Sequence, residues 1–307
     1  MNQLSEAAAL FALSSSGVAA FGYSVVRGAE ALADRYRLDR FAVGFIFLSV
    51  VTSVPELTVA VIAGLRAAVE LSVGDLLGSS VVNITFVTGL AVLFAAKGVA
   101  IGRGLRANLT WLLFLSSLIP VLLLLVPRIP PITGLPLILV FLTYGIYASR
   151  SRPVHVALPS LDAGWRVFTV VAIGVVGLVT SATALVQSAK ALSEVLGIGQ
   201  LEIGAKLVSL VTSMPEIVTV AASMRRGEYE MAFGNAVGSN LTNMSLMLGS
   251  LLLIAGVDVF LSPHYATVLF VVLVSGTLWA FSLRGRISRP LALVLLVEYV
   301  AFLLFSD

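Results

Sequence analysis

Long apolar stretches recur along the whole chain and limit its fold more than any other feature. Hydrophobic residues make up 59% of the 307 residues and charged residues only 11%, and the mean hydropathy is +1.05. A helix needs about 20 apolar residues to cross a bilayer. Inside a bilayer each segment must satisfy its own backbone hydrogen bonds, and these runs lack the alternation of β-barrel strands. The sequence therefore predicts an all-α membrane protein and excludes a soluble one.

Ten predicted transmembrane helices, numbered here as spans 1 to 10, account for the apolar stretches. They cover residues 6–27, 41–65, 71–95, 107–127, 130–149, 167–189, 201–224, 230–256, 263–283 and 288–305. The sequence contains no cysteine, which excludes disulfides and thiolate metal sites. It contains no nucleotide-binding, haem or catalytic-triad motif, so we expect no cofactor, no ATP-driven pumping and no enzymatic activity.

The basic residues divide between the two sides of the predicted membrane. Fifteen of the 19 Lys and Arg residues lie in loops that follow odd-numbered spans: Arg27, Arg35, Arg37, Arg40, Lys97, Arg103, Arg106, Arg150, Arg152, Arg166, Arg225, Arg226, Arg284, Arg286 and Arg289. The opposite side carries only Arg66, Arg128 and Lys190. Because positively charged loops stay in the cytoplasm, we predict a multi-pass plasma-membrane protein with both termini outside. The same division argues against nucleic acid as a partner.

One motif occurs twice, and its two copies keep a constant spacing along the chain. The segment 48–56 aligns without gaps with the segment 208–216. In the same register Gly74, Gly78, Ser79, Asn83 and Gly89 fall on Gly234, Gly238, Ser239, Asn243 and Gly249. Since this spacing holds five predicted spans, an odd number, the second copy crosses the membrane in the opposite sense.

This arrangement predicts two inverted five-helix repeats. The first covers residues 1–150, with its motif at 48–89, and the second covers 166–307, with its motif at 208–249. A cytoplasmic linker at 151–165 joins them. Inverted repeats of this kind are typical of secondary transporters, whose substrate sites lie near the midplane on interrupted helices.

Each copy of the motif concentrates oxygen atoms on one helix face. Four side chains stand at i, i+3, i+4 and i+7 in each: Ser49, Thr52, Ser53 and Glu56, and then Ser209, Thr212, Ser213 and Glu216. The following spans add Ser79 with Asn83 and Ser239 with Asn243, each pair at i and i+4. Pro55 and Pro215 each free a main-chain oxygen beside the carboxylate. We therefore expect an ion site at the midplane, between broken helices 2 and 7 and helices 3 and 8.

The two glutamates indicate which ions this site would bind. An ionised carboxylate at the bilayer centre costs at least about 2.5–3.5 kcal/mol, so two of them need a counter-charge. One Ca²⁺, or alternating loads of Na⁺ or H⁺, would neutralise Glu56 and Glu216. Lys206 is expected at the outer interface, away from Glu216. Because the empty site would carry two uncompensated charges, it would change its exposure from one side of the membrane to the other only with ions bound. This coupling is the physical basis for exchange.

The paired motifs, TSVPE with GSSVVN and TSMPE with GSNLTN, resemble the two α-repeats of the Ca²⁺/cation antiporter superfamily, particularly its Na⁺/Ca²⁺ exchanger branch. The resemblance covers essentially the full chain. It implies a central Ca²⁺ site formed by Glu56, Glu216 and main-chain oxygen of Thr52 and Thr212, completed by Asn83 and Asn243. It also implies flanking Na⁺ sites formed by Ser53, Ser79, Ser213, Ser239 and the carbonyls of Ser49 and Ser209. In that family, spans 1 and 6 slide against the rest.

The sequence departs from the family pattern at several positions that bear on the driving ion. Valines 51 and 211 replace a glycine, Ser80 replaces a common Asn, and both middle positions are Asn where one is often Asp. Asp75 stands where the other repeat has Asn235. Asp75 is interpreted either as a cap at the start of span 3 or as part of an outer ion vestibule.

Three functions remain open from the sequence. The leading one is antiport of Ca²⁺ against Na⁺, because hydroxyl groups ligate Na⁺ but store no proton. The nearest alternative is Ca²⁺/H⁺ antiport, in which the same glutamates are protonated in exchange for Ca²⁺. The third is a passive channel or a non-transporting scaffold, which the inverted halves disfavour. We expect the protein to act as a monomer in the lipid bilayer.

Overall fold

The computed structural model describes residues 3–35, 49–95, 99–151, 164–260 and 265–306. Within these residues, six helices are long and apolar enough to cross a membrane, and a seventh span is formed if the bent pair Gln200–Thr212 and Met214–Arg225 counts as one. The predicted all-α membrane class is therefore confirmed. Two further apolar helices, Val54–Leu65 and Pro131–Tyr147, are shorter. The start of predicted span 2, 41–48, and most of the predicted linker lie outside the described residues.

The described part of the first half contains seven α-helices. They are α1 (Gln3–Arg35), α2 (Ser49–Thr52), α3 (Val54–Leu65), α4 (Val69–Val82), α5 (Thr88–Phe94), α6 (Arg103–Leu124) and α7 (Gly134–Ser151). A π-helical turn, Asn83–Val87, joins α4 to α5, and a 3₁₀ turn, Pro131–Thr133, precedes α7. The short strand β1 (Val99–Ala100) lies between α5 and α6.

The second half repeats this order. It contains α8 (Gly164–Leu196), α9 (Gln200–Ile203), α10 (Ser209–Thr212), α11 (Met214–Arg225), α12 (Tyr229–Thr242), α13 (Leu248–Ala255), α14 (Tyr265–Leu283) and α15 (Arg289–Phe305). Two π-helical turns, Gly204–Val208 and Asn243–Met247, join α9 to α10 and α12 to α13. The strand β2 (Arg286–Ile287) precedes α15.

The two copies of the motif are interrupted at equivalent positions. Ser53 separates α2 from α3 and has ψ of 14°, and Ser213 separates α10 from α11 and has ψ of 5°. Pro55 and Pro215, two residues later, lack the N–H that would continue the helix through this point. The second break bends the path of its span by 44°. The predicted interruption of both motif helices is therefore present.

Glycines allow the span that contains α4 to approach the span that contains α9 and α10. A Cβ atom placed on Gly74 would lie 2.0 Å from the carbonyl oxygen of Leu201, and one on Gly78 would lie 2.2 Å from that of Ala205. From the other side, a Cβ on Gly204 would lie 2.0 Å from the carbonyl oxygen of Leu71. Only a residue without a side chain fits at these contacts. Glycine at positions 74 and 78 therefore permits the close approach of these two spans.

Two short strand pairings connect the halves of the molecule. Val99 and Ala100 pair with Ile287 and Arg286 as an antiparallel ladder. Ile129 and Val259 exchange two backbone hydrogen bonds of 3.0 Å each. Each pairing therefore joins a loop of the first half to a loop of the second.

Helices α1 and α8 pack against each other along their length. Ser14 Oγ lies 3.4 Å from Ser188 Oγ, and a Cβ on Gly17 would lie 2.3 Å from Ser181 Oγ. Near the middle of α1, a Cβ on Gly22 would lie 3.0 Å from Pro55 Cγ and 3.5 Å from Pro215 Cγ. The helix pair therefore lies directly beside both interrupted helices.

Candidate ion-binding site

The two motif glutamates lie in the interior of the helix bundle. Glu56 is in the first turn of α3 and Glu216 in the first turn of α11, and both side chains are fully buried. A third carboxylate, Asp75 of α4, is also fully buried and interacts electrostatically with both glutamates. The ion pairs formed within the described part of the chain involve other acids, such as Glu202, whose Oε1 accepts a 2.7 Å bond from Lys206. Three buried acids therefore share a region in which no basic side chain of the described chain is paired with them.

Glu216 is surrounded by hydroxyl donors. Ser53 Oγ donates to its Oε1 over 3.1 Å, and Ser239 Oγ donates to the same oxygen over 3.3 Å. Ser53 comes from the break of the first repeat, so this bond crosses between the two copies of the motif. The second oxygen, Oε2, has no hydrogen-bond partner among the described residues. One carboxylate oxygen thus stays free to contact a cation.

Glu56 has a different environment. Neither of its carboxylate oxygens has a hydrogen-bond partner in the described part of the chain, and the same holds for the hydroxyl of Ser213. Both side chains are fully buried. A buried polar atom without a partner is costly, and such atoms are expected where a ligand completes the site. Glu56 and Ser213 therefore provide three oxygens with the capacity to bind an ion.

Two threonines connect the repeats in a symmetrical way. Thr212 donates to Oδ1 of Asp75 over 2.8 Å, and Thr52 donates to Oδ1 of Asn235 over 3.0 Å. Asp75 and Asn235 are equivalent positions in the two repeats. Each motif threonine therefore donates a hydrogen bond to this position of the opposite repeat. The interpretation of Asp75 as a helix cap is wrong, because α4 begins at Val69 and Asp75 lies in its second turn. Its full burial also places it inside the bundle.

The remaining predicted ligands are all buried, and they differ in whether their side chains have hydrogen-bond partners. Asn83 and Asn243 begin equivalent π-helical turns, and none of their side-chain nitrogen or oxygen atoms has a partner in the described chain. Ser79 Oγ lies 3.4 Å from Thr212 Oγ1. Ser49 and Ser209 are fully buried, and the Ser209 carbonyl accepts from the Ser213 N–H over 3.1 Å. All twelve predicted residues are thus fully buried, and Asn83, Asn243 and Glu56 each have two side-chain polar atoms without a partner in the described chain.

Sequence reasoning gave no role to Asn235 or Asn240. Asn240 Nδ2 donates to the Ser80 carbonyl over 3.0 Å, which links α12 to α4. The signal available in the sequence was the mismatch between repeats, because Ser80 aligns with Asn240 and Asp75 with Asn235. In the described chain no three His, Cys, Asp or Glu side chains gather as a metal cluster. A cation here would therefore draw ligands from hydroxyl, amide and main-chain oxygens as well as carboxylates.

The chain resembles known exchangers over nearly its whole length. Sodium/calcium exchanger MaX1 of Methanosarcina acetivorans is 26% identical over 91% of this chain and 92% of its own length. Inner membrane protein YrbG of Escherichia coli is 29% identical over 73% of each chain. A solved structure of the sodium-calcium exchanger NCX_Mj, soaked with Na⁺ and Sr²⁺, superimposes with a TM-score of 0.72 at 22% identity and covers 99% of each chain.

The family assignment rests on two matched segments. The family model described as sodium/calcium exchanger protein matches residues 6–150 and 166–306, one segment for each half of the chain. Members of this family are membrane transporters, and the apolar helices fit an integral, multi-pass membrane protein. The resemblance seen in the repeated motifs is therefore confirmed, and this chain belongs to the sodium/calcium exchanger protein family.

Proposed function

We propose that this protein is a secondary active antiporter that exchanges Ca²⁺ for Na⁺ across the plasma membrane. The observation that carries the proposal is the pair of fully buried glutamates, Glu56 and Glu216, at equivalent helix breaks. Ser53 and Ser239 donate hydroxyl hydrogen bonds to Glu216, both carboxylate oxygens of Glu56 lack a partner in the described chain, and no described ion pair includes either glutamate. An acidic site of this kind is stable in the membrane only with bound cations.

The chemistry of the site suits these two ions. Ca²⁺ takes about 6–8 oxygen ligands, and two carboxylates balance its charge. Sodium binds hydroxyl and carbonyl oxygens, which the breaks at Ser53 and Ser213 supply beside each glutamate. Glu56 and Glu216 would bind Ca²⁺ and Na⁺ competitively, because both loads neutralise the same carboxylates. Competition for one site produces exchange when the site faces each side in turn.

Alternating access follows from the proposed architecture of ten spans in two inverted repeats. The helix order, the breaks and the π-helical turns at Asn83 and Asn243 recur at the same spacing as the sequence motif. Each strand pairing joins two loops that the distribution of basic residues assigns to one side of the membrane. With both termini outside, the pair α1 and α8 would slide past the breaks, since Gly22 lies against Pro55 and Pro215.

The decisive experiment is Ca²⁺ uptake by reconstituted protein. Proteoliposomes loaded with Na⁺ are diluted into Na⁺-free medium that contains ⁴⁵Ca²⁺. We expect Glu56→Gln and Glu216→Gln to lower uptake to below about a tenth of wild type, because each removes a charged ligand. Glu70→Gln, an exposed glutamate in the first turn of α4, is the matched control and should retain uptake.

A parallel arm replaces the Na⁺ gradient with a pH gradient in Na⁺-free buffer. Uptake driven only by the pH gradient would overturn the choice of Na⁺ and select Ca²⁺/H⁺ antiport through the same glutamates. Ca²⁺ flux without any counter-ion would select a channel. Full uptake by both Gln variants would contradict the assignment of the site.

A further inference from the structure

The two repeats differ in charge along the helix that follows each motif. One face of α4 and of the π-helical turn that follows it carries Ser72, Asp75, Ser79 and Asn83. The equivalent positions on α12 and its π-helical turn carry Ala232, Asn235, Ser239 and Asn243. The last two positions of each set are identical in the two repeats. The first two differ, so α4 has an additional hydroxyl and an additional carboxylate. The interior is therefore asymmetric at Asp75.

Asp75 has hydroxyl contacts and one unused oxygen. Its Oδ1 accepts from Thr212 over 2.8 Å, and Ser79 Oγ lies 3.5 Å from the same atom. Its Oδ2 has no hydrogen-bond partner in the described chain, and neither does Ser72 Oγ, one helical turn earlier. Both side chains are fully buried. These contacts provide carboxylate and hydroxyl oxygens together in the buried interior.

An ionised Asp75 would add a third negative charge to the buried interior and would need a counter-ion of its own. Asp75 interacts electrostatically with both Glu56 and Glu216, and all three are fully buried. None of the ion pairs within the described residues includes Asp75. One Ca²⁺ neutralises two carboxylates and leaves the third charge uncompensated in a region where an unpaired charge is unfavourable.

We propose that Asp75, with the hydroxyl groups of Thr212 and Ser79, binds one Na⁺ alongside Ca²⁺ at a site that the Asn235 side of the protein lacks. This inference rests on the proposed antiport function and extends it. The Na⁺ stays bound during Ca²⁺ translocation, so the Ca²⁺-loaded site crosses the membrane without net charge. A low concentration of Na⁺ on the side from which Ca²⁺ binds therefore supports Ca²⁺ transport. At a high concentration, Na⁺ competes with Ca²⁺ for Glu56 and Glu216.

The test is exchange of ⁴⁵Ca²⁺ for unlabelled Ca²⁺ in proteoliposomes, with equal concentrations of Na⁺ on both sides. In wild type we expect low Na⁺ to stimulate exchange at least about tenfold over choline, with inhibition at higher Na⁺. Asp75→Asn keeps the shape of the side chain and an acceptor for Thr212. It should exchange Ca²⁺ equally in Na⁺ and in choline.

A swap variant provides the matched control. Asp75→Asn combined with Asn235→Asp moves the carboxylate to the equivalent position, where Thr52 replaces Thr212 as the donor. We expect the double variant to regain stimulation by Na⁺. Thermal unfolding in detergent with saturating Ca²⁺ is a second readout. Added Na⁺ should raise the unfolding temperature of wild type and leave that of Asp75→Asn unchanged.

The outcomes separate this inference from the proposed function. Wild-type protein that exchanges Ca²⁺ equally in Na⁺ and choline would overturn the Asp75 site and leave the antiport proposal standing. Stimulation by low pH in choline would also overturn it, because the cation would then be a proton. Wild-type protein without any Ca²⁺ flux would instead contradict the antiport proposal. Na⁺ stimulation that persists in Asp75→Asn would place the Na⁺ elsewhere.

Discussion

Glu56 and Glu216 occupy equivalent positions in the sequence, yet only Glu216 receives hydroxyl hydrogen bonds from the described residues. Part of the difference follows from Asp75. On the second repeat Ser239 donates to Glu216, whereas its counterpart Ser79 lies against Asp75 and Thr212. Asn235 is neutral and competes less strongly for a hydroxyl than a carboxylate does. The substitution at position 75 thus accounts for the different contacts of Ser79 and Ser239, whereas no contact in the structure explains why Ser53 bonds a glutamate and Ser213 does not.

The motif serines therefore differ in their contribution to stability. Ser53→Ala removes a donor from the fully buried Glu216, and we expect it to lower the free energy of unfolding by about 1–3 kcal/mol. Ser213→Ala removes a hydroxyl that has no partner in the described chain, and it should leave stability nearly unchanged. Thermal unfolding in detergent without Ca²⁺ compares the two variants. Equal destabilisation by both would contradict the asymmetry.

Helix α4 reaches the site because glycine removes the side chains that would hold α9 and its π-helical turn away. Contacts between backbones at Gly78 and Gly204 leave no space for a methyl group. Asp75 N lies 2.9 Å from the position that a Cβ on Gly204 would take. This close packing brings Thr212 within 2.8 Å of Asp75, although the two belong to different halves of the chain.

A methyl group at Gly78 should therefore disturb the site. A Cβ there would lie 2.2 Å from a backbone oxygen, and we expect Gly78→Ala to cost about 1–3 kcal/mol or more through overpacking. Gly276→Ala on α14 is the matched control, because a Cβ there has no atom within 4 Å. It should change stability by less than about 1 kcal/mol. Unfolding temperatures in detergent measure both, and a tolerated Gly78→Ala would contradict the packing argument.

The proline breaks make a separate prediction about transport. Pro215→Ala restores an N–H that can bond the carbonyl four residues earlier, which favours a straighter helix at Ser213. We expect Na⁺-driven Ca²⁺ uptake to fall about tenfold or more while the protein still folds. Pro120→Ala, in the interior of α6, is the control and should retain uptake. Equal uptake by the two variants would show that the bend at Ser213 has no part in transport.

The molecule as a whole is held together by reciprocal contacts between its halves. Strand pairings at Val99 and at Val259, which are equivalent positions of the two repeats, each attach one half to a loop of the other. Helices α1 and α8 pack against each other, and Gly22 of α1 lies against both breaks. The proposed sliding motion requires that α1 and α8 move together relative to the breaks.

A crosslink between α1 and α8 tests that requirement. Ser14 and Ser188 have hydroxyl oxygens 3.4 Å apart, and the chain contains no native cysteine. A disulfide formed in the variant Ser14→Cys with Ser188→Cys should leave Ca²⁺ uptake within about twofold of the reduced protein, because the two helices would move together. Uptake before and after reduction is the measurement. Inactive oxidised protein that recovers on reduction would show that α1 and α8 must separate during transport.

The sequence alone determined the membrane class, the family and the positions of both helix breaks. Apolar length, the constant spacing of the two motif copies and the Pro-Glu pairs are local properties that composition and pattern reveal. The same pattern identified Glu56 and Glu216, because a carboxylate in an apolar span is unfavourable without a ligand.

Only the tertiary structure decided which hydroxyl contacts which carboxylate. The sequence was compatible with Asp75 as a helix cap or as part of an outer ion vestibule. In the structure Asp75 is fully buried and accepts a hydrogen bond from Thr212. The structure also revealed the π-helical turns at Asn83 and Asn243, which have no distinctive sequence signal. The physical reason is that these hydrogen bonds join atoms of spans that are far apart in the sequence, and each bond depends on distances of tenths of an ångström. The spacing of residues in the sequence determines which side chains share a helix face, whereas the distances between side chains of different helices are determined by how the helices pack.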